Sequence, residues 1–372
     1  MVLVEPSARP QAQAIAPRQV VRGAGAWQQA LPALQALCQR PLLLGRSAAT
    51  APLRHALLAD LQAAGLEPTP AQLRFDCCEE DVAAVAAILR QHNCDGVIAC
   101  GGGKVLDAGK LLADRLRLPC VTVPTSAATC AGWTALANLY SPQGAYRHDV
   151  ALERCPELLV FDHDLVRQAP AQTLVSGVAD AMAKWYEASV ASGTSGDGLV
   201  QQAVQMARVL RDQLLLDAAT ALEDHSTEAW VRVAEGCALS AGVIGGIGGA
   251  RCRTVAAHAV HNGLTQLEAS HGRLHGEKVG FGILVQLRLE EQLAGSGLAG
   301  QARRQLVPFF QRLGLPVTLA ELGLADASLR DLEAVARFAC RPGSDLHQLP
   351  FAVAVPELLA ALVSTAAELQ PA

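Results

Sequence analysis

The chain has 372 residues, of which 51% are hydrophobic and 17% are charged, and its formal net charge is −5. This length suffices for two domains of ordinary size, each with its own core. Because the net charge is negative and Lys and Arg form no long run, the sequence lacks the basic field that nucleic-acid binding requires.

Short apolar segments alternate with helical patterns in the first half of the chain. Near-continuous apolar runs predict four strands, at 41–45, 96–100, 120–124 and 158–161. Residues with helical spacing predict three helices between them, at about 50–64, 79–92 and 104–116. This alternation is typical of a parallel sheet covered on both faces, in which ligands lie beyond the carboxyl ends of the strands. We therefore expect an α/β fold with a mostly parallel sheet.

Three consecutive glycines follow the second of these strands, and the segment 101–104 is Gly-Gly-Gly-Lys. Glycines let the backbone approach a pyrophosphate closely, and the start of the next helix offers free N–H groups. A glycine-rich turn without a ligand is the alternative for the three glycines alone, but hydroxyl residues after the neighbouring strand favour a nucleotide. The predicted cofactor residues of this region are Gly102, Gly103, Lys104, Asp107, Thr125 and Thr129.

Arg46 follows the first predicted strand, at a position where nucleotide-binding folds often place an acidic residue that holds the adenosine ribose hydroxyl. A cation there favours a 2′-phosphate instead. Arg46 therefore indicates NADP(H) rather than NAD(H), and the alternative is a solvated surface arginine.

After about residue 163 the strand signals stop, and segments rich in Ala, Leu, Gln and Glu continue with helical spacing to Ala372. The second half is therefore predicted to be all-helical. The segment 245–249, Gly-Gly-Ile-Gly-Gly, follows no strand, so we interpret it as a tight interhelical loop rather than a second nucleotide site.

One carboxylate and two imidazoles in the helical half have the residue types of a three-ligand metal site: Asp180, His258 and His275. Three protein ligands leave a coordination position open for a substrate, which is typical of a catalytic site. His261 lies three residues after His258 and on the same helix face, where it is either a proton relay or a structural histidine packed beside His258.

The sequence contains 11 cysteines, several of them inside apolar runs where a thiol packs as a small hydrophobic group. This usage fits a reducing cytoplasm.

Residues 1–6 contain no basic region followed by an apolar stretch, and no run of about 18 uncharged apolar residues occurs. We expect a cytoplasmic, unexported homo-oligomer that binds neither membranes nor nucleic acid, because the many apolar residues indicate surface shared between subunits.

Together these motifs resemble the iron-containing alcohol dehydrogenase family, in its glycerol dehydrogenase-like branch. The matching segments between about residues 40 and 350 are 101–104 with Asp107 and Lys110, Pro-Thr at 124–125, 177–180, His-Ala-Val-His-Asn-Gly at 258–263 and His-Gly-Glu-Lys at 275–278. The resemblance implies a dinucleotide-binding α/β domain at 1–163 and a helical metal- and substrate-binding domain at 164–372, with the active site between them. Dehydroquinate synthase-like enzymes share this architecture.

The resemblance also implies roles for single residues. The metal ligands carry over to Asp180, His258 and His275, with zinc the usual ion of this branch and iron the alternative. The cofactor contacts carry over to Gly103, Lys104, Thr125, Thr134, Leu136 and Tyr140.

Three departures from the family pattern concern the substrate and the cofactor. The segment 129–133 is Thr-Cys-Ala-Gly-Trp, where glycerol dehydrogenases carry a Thr-Asp-Ala-Pro segment whose Asp contacts the polyol. Lys184 stands four residues after Asp180, where iron-dependent relatives place a further histidine ligand, and Arg46 stands where NAD-preferring relatives carry Asp. The alternative for Lys184 is an ion pair with Glu187 or a solvated helix face.

These departures favour an anionic substrate, and the segment at 129–133 resembles the hydroxycarboxylate dehydrogenase subgroup. We expect NADPH-dependent reduction of small 2-oxo acids at a divalent metal, with His261 and Lys184 as catalytic residues. NAD-dependent glycerol oxidation is the nearest alternative. A dehydroquinate synthase-like lyase and a non-catalytic NADP(H) sensor are more distant ones.

Overall fold

The computed structural model describes residues 12–366, so residues 1–6, on which the expectation of an unexported chain depends, lie outside the described residues. The described part of the first half contains eight strands: β1 Gln19–Gly23, β2 Pro41–Gly45, β3 Thr69–Gln72, β4 Gly96–Gly101, β5 Cys120–Pro124, β6 Leu136–Tyr140, β7 Tyr146–Ala151 and β8 Leu158–Asp162. Six of them form a parallel sheet in the order β1-β8-β5-β4-β2-β3, and β6 pairs with β7 in an antiparallel hairpin.

Helices cover the sheet: α1 Ala26–Leu37, α2 Ala51–Ala63, α3 Glu79–Gln91 and α4 Gly103–Leu116. The four predicted strands and three predicted helices are confirmed. In register, β4 lies between β2 and β5, with Gly101 beside Pro124, so the triple-glycine turn and the 124–125 turn leave the sheet at the same edge. The topology therefore brings the predicted cofactor segments together, as the carboxyl ends of parallel strands require.

From residue 163 to the end of the described chain the secondary structure is helical. The helices are α5 His163–Val166, α6 Ala171–Ser192, α7 Gly198–Glu223, α8 Glu228–Glu235, α9 Ala241–Gly248, α10 Ala256–Leu264, α11 His275–Leu293, α12 Gly297–Leu313, α13 Leu329–Ala339 and α14 Val355–Val363. A π-helical segment, Gly236–Ser240, joins α8 to α9. The predicted fold class, a parallel α/β half followed by a helical half, is confirmed.

The prediction of an interhelical loop at 245–249 is wrong. Gly245, Gly246 and Gly248 belong to α9, which ends at Gly248 and is followed by Gly249 as its C-cap, with φ of 65°. The physical reason is close packing, because a Cβ atom added at Gly246 would lie 2.0 Å from the carbonyl oxygen of Ile15. The glycines thus make room for neighbouring chain segments and do not break the helix.

One apolar core joins the two halves of the chain. Trp133 and Phe161 from the first half are buried in the same cluster as Met182 and Phe310 from the helices. The β6–β7 hairpin adds a polar contact, since the backbone N–H of Tyr146 donates to the Thr265 hydroxyl (2.9 Å). The two halves of the chain are therefore joined by a packed apolar core.

The segment Glu228–Gly248 is, by length and composition alone, apolar enough to cross a membrane, but 67% of its apolar window is buried inside the protein. That burial is typical of a core helix.

All 11 cysteines are free thiols, ten of them buried and Cys340 half-buried. The expectation that thiols pack as hydrophobic groups is confirmed.

Candidate functional site

The triple-glycine turn opens onto a groove of about 1010 Å³ at the carboxyl edge of the sheet. β4 ends at Gly101 and α4 begins at Gly103, and all three glycines line the groove. A Cβ atom at Gly103 would lie 2.7 Å from Cγ2 of Thr129, so that position admits no side chain. The bare backbone and the start of a 14-residue helix form a surface suited to a pyrophosphate.

Three cations line this groove: Arg46, Arg74 and Lys104. Lys104 forms an ion pair with the buried carboxylate of Asp76 and lies over the Tyr140 ring, 4.6 Å from its centroid. Arg46 remains 42% exposed, and its Nη1 lies 3.9 Å from Asp76 Oδ1. Asp76 and Arg74 were not predicted from sequence, because their positions depend on how β3 pairs with β2.

Asp107 lies beneath the hairpin rather than in the large groove. It is buried, accepts a hydrogen bond from the Asn138 backbone N–H (3.1 Å) and lies 3.0 Å from Lys110 Nζ. Lys110 in turn donates to the carbonyl oxygens of Thr134 and Leu136. This buried pair therefore holds the hairpin, and with it the predicted cofactor residues, against α4.

The predicted metal ligands converge. Asp180 from α6, His258 from α10 and His275 from α11 each offer an atom that lies within 4.8 Å of the others. Asp180 Oδ1 is 3.2 Å from His258 Nε2 and 3.4 Å from His275 Nε2. One carboxylate oxygen and two imidazole nitrogens at such distances fit a divalent ion such as zinc. Within residues 12–366 no other trio of His, Cys, Asp or Glu has this arrangement.

Glu187, predicted only as an alternative partner of Lys184, supports this trio. Its Oε2 accepts a hydrogen bond from His258 Nδ1 (2.6 Å), and its Oε1 accepts from the backbone N–H groups of Val255 (2.7 Å) and His258 (3.0 Å). The contact directs His258 Nε2 toward Asp180. The sequence spacing between Asp180 and Glu187 could have indicated this role. Seven residues are about two helical turns, so both side chains lie on the same face of α6.

His261 contacts His275 rather than the carboxylate. Its Nε2 lies 3.0 Å from His275 Nδ1, and its Nδ1 lies 2.9 Å from the Asn262 amide oxygen. Burial, and then the neighbouring His275, lower the pKa of His261 well below its ordinary value, so the ring is neutral. The ring of His275 lies 4.2 Å from that of His261 between centroids, so His261 packs against a second predicted metal ligand as well as following His258 on α10.

Lys184 is buried, so the alternative of a solvated helix face is wrong. Its ammonium donates to the carbonyl oxygen of Arg253 (3.1 Å) and not to Glu187. Burial alone would raise the pKa of Asp180, but the charge of Lys184 and the hydrogen bonds from His258 and His275 hold it well below its ordinary value. Asp180 is therefore ionised, as a metal ligand must be.

A second cavity, of about 80 Å³, contains the trio. The sequence-predicted residues that line it are Asp107, Thr129, Thr134, Leu136, Tyr140, Asp180, Lys184, His258, His261 and His275. Arg46, Gly102, Gly103, Lys104 and Thr125 line the large groove instead. The groove and the cavity approach each other where Gly103 meets Thr129. Arg253 and Asp345 also line the cavity and were not predicted.

Comparison with known proteins agrees with this geometry. Residues 17–163 match the family model described as iron-containing alcohol dehydrogenase. An oxidoreductase of Synechocystis sp. is 56% identical over 79% of this chain and 77% of its own length. Hydroxycarboxylate dehydrogenase A of Escherichia coli is 37% identical over 77% of this chain and 79% of its own. The crystal structure of a probable glycerol dehydrogenase from Sinorhizobium meliloti superposes with a TM-score of 0.84 at 31% identity, covering 95% and 98% of the two chains.

Proposed function

Because the chain belongs to the iron-containing alcohol dehydrogenase family, in its glycerol dehydrogenase-like branch, it is a metal-dependent nicotinamide-nucleotide oxidoreductase, and we propose that it reduces small 2-oxo acids to 2-hydroxy acids with NADPH. The observation that carries this proposal is the buried Lys184 beside the Asp180 trio, with Cys130 where polyol-oxidising relatives carry Asp. We further propose that it acts in the cytoplasm as a homo-oligomer.

Asp180, His258 and His275 are the proposed ligands of a zinc ion, with iron the alternative. When bound, the ion polarises a carbonyl oxygen, and the nicotinamide supplies a hydride. Glu187 orients His258, and Lys184 holds Asp180 ionised. The neutral His261 is proposed to relay a proton, because it lines the same cavity as the trio and as Leu136 and Tyr140 of the hairpin.

The relay role of His261 has a direct test. Replacing His261 with Ala should lower turnover while leaving the bound metal intact. Because His261 also contacts His275, equal losses of turnover and of metal, measured together by kinetics and elemental analysis, would make it a support for His275 instead.

The neutral Cys130 in the small cavity supports an acid substrate. Removing one carboxylate about 4 Å from a substrate anion changes its energy by roughly 4 kcal/mol at an effective dielectric near 20. Cys130 is buried and neutral, since burial raises the pKa of its thiol. An acid is therefore not repelled there as it would be by the aspartate of polyol-oxidising relatives.

The groove residues support NADP(H). Arg46 lines the groove and is partly exposed, so its guanidinium is available to a ribose 2′-phosphate. We propose that the groove binds the adenosine and pyrophosphate through Arg46, Gly102, Gly103, Lys104 and Thr125. The nicotinamide half is proposed to contact Thr134, Leu136 and Tyr140.

A spectrophotometric screen of purified, metal-analysed protein tests the proposal. Pyruvate and other small 2-oxo acids, aldehydes and polyols are offered with each nicotinamide nucleotide, and we expect the 2-oxo acids with NADPH to give the highest kcat/KM. Glycerol oxidation with NAD outpacing every 2-oxo acid would establish the second candidate, glycerol dehydrogenase, which the Sinorhizobium relative favours. Bound nucleotide with no net redox turnover would support a dehydroquinate synthase-like lyase or a sensor.

A further inference from the structure

Arg253 lines the cavity of the Asp180 trio together with Asp180, His258 and His275. Among residues 12–366 its guanidinium forms no ion pair and no hydrogen bond. Its backbone N–H donates to the Ala250 carbonyl oxygen (3.0 Å), and its own carbonyl oxygen accepts from Lys184 (3.1 Å). Elsewhere in the helical half, Arg288 and Arg303 both pair with a carboxylate.

The glycines of α9 position this arginine. A Cβ atom at Gly245 would lie 2.9 Å from Cγ and 3.2 Å from Cδ of Arg253, so the aliphatic stem packs over bare helix backbone. The hydrogen bond from Lys184 Nζ ties the Arg253 carbonyl to α6, one turn after Asp180. The Gly-rich segment and the buried lysine thus support one side chain at the edge of the cavity.

We propose that Arg253 binds the carboxylate of the substrate, an inference that rests on the proposed reduction of 2-oxo acids. The planar guanidinium offers parallel N–H donors that match both carboxylate oxygens. Lys184 is less suited, because its ammonium already faces Asp180 and the Arg253 carbonyl. The cavity of about 80 Å³ restricts the acid to a small one.

The remaining charges of the cavity favour one orientation of the acid. Asp107, Asp149 and Asp345 also line it, and carboxylates disfavour a substrate carboxylate beside them. The carboxylate is accordingly directed to Arg253, and the oxo group to the trio. Arg253 therefore determines substrate class rather than reactivity.

The test compares pyruvate with its neutral counterpart 2,3-butanedione, in which a methyl ketone replaces the carboxylate. In Arg253→Gln, kcat/KM for pyruvate should fall about 100-fold, mainly through KM, and that for 2,3-butanedione should change less than about threefold. Arg253→Lys should retain an activity with pyruvate between that of the wild type and that of Arg253→Gln, because lysine keeps the positive charge but cannot form the bidentate hydrogen bonds of a guanidinium. Arg251→Gln, an exposed neighbour in the same turn, is the matched control and should change neither.

The wild-type and variant measurements separate two failures. If the wild-type protein reduces 2,3-butanedione but no 2-oxo acid, the proposed function fails. If it reduces pyruvate and Arg253→Gln does so equally well, or loses both substrates equally, the role of Arg253 is overturned. Metal content and NADPH affinity are measured for each variant, and Arg253→Lys decides the question should the glutamine variant not fold.

Discussion

Glu187 shows how much of the proposed metal site depends on a residue that is not one of its three proposed ligands. Its carboxylate accepts three hydrogen bonds, one from the ring of His258 and two from backbone N–H groups at the start of α10. It therefore fixes both the ring and the helix that carries it. A carboxylate partner of this kind also raises the basicity of the ligating imidazole.

Glu187→Gln should weaken metal binding about 10- to 100-fold, because the amide keeps the shape of the side chain and loses its charge. Titration with a competing chelator measures the affinity. Glu290→Gln is the matched control, the same exchange on α11 at a residue outside the metal cavity, and should leave the affinity unchanged. Equal metal affinity in Glu187→Gln and the wild type would contradict the orienting role.

Glu290 is itself the subject of a stability prediction. Burial raises its pKa to about 7, although Gln286 donates a hydrogen bond to it (3.0 Å). A carboxyl whose folded pKa lies above its unfolded value is destabilising once ionised, so the cost grows as pH rises from about 4.5 through 7. Glu290→Gln should therefore raise the free energy of unfolding at pH 8 by about 1 to 3 kcal/mol.

Urea denaturation at several pH values checks this sign. The gain from Glu290→Gln should shrink as the pH falls from 7 to 5, where the wild-type carboxyl is already protonated. A gain that is the same at every pH would assign the effect to packing of the amide and not to ionisation.

At the scale of elements, the contact between α6 and α11 aligns the trio. The backbone N–H of Gly276 donates to the Ser176 hydroxyl (2.9 Å), and a Cβ atom at Gly276 would lie 1.7 Å from the Ser176 carbonyl oxygen. The backbones of the two helices are in contact at Gly276, which follows His275 directly, and at Ser176, which precedes Asp180 by four residues. Only glycine permits this approach.

Gly276→Ala should push α11 away from α6, lowering the free energy of unfolding by about 3 kcal/mol and reducing the bound metal. Gly272→Ala is the matched control, because a Cβ atom there meets nothing within 4 Å. Urea denaturation and elemental analysis of both variants decide the matter. Similar effects of the two substitutions would show that the helix contact is not what matters.

The elements that could be predicted from sequence are those with complete apolar runs. β2, β4, β5 and β8 are buried at every position, and their composition shows it. β3 contains Pro70 and is partly exposed, and β7 of the hairpin contains the exposed polar residues Arg147, His148 and Asp149, so neither shows an apolar run. Such strands can be assigned only from their pairing with neighbouring strands in the folded protein.

The same limit applies to the site. Asp180, His258 and His275 were predicted from residue type and a glycine-flanked setting. Glu187 and Arg253 were not, because the first becomes a ligand support and the second a cavity residue only once α6, α9 and α10 pack together. Residue type indicates what chemistry is available, whereas packing decides which groups meet.

For the whole molecule, the shared core predicts cooperative unfolding. Trp133 and Phe161 are buried against helices of the second half, so neither half retains its full core alone. We expect one calorimetric transition for the protein, and NADPH at 100 times its Kd should stabilise the whole chain by about 2.7 kcal/mol. Two transitions, of which only one responds to NADPH, would show that the halves unfold independently.

The 11 free thiols can be used to detect local opening of the fold. Ten are buried, and burial raises the pKa of Cys100 and of Cys120 to about 12, so an alkylating reagent meets few thiolates while the fold is closed. Cys100 and Cys120 lie on central strands of the sheet, whereas Cys237 and Cys252 lie among the helices. Timed alkylation read by mass spectrometry would therefore record which region of the protein opens first, without a single introduced label.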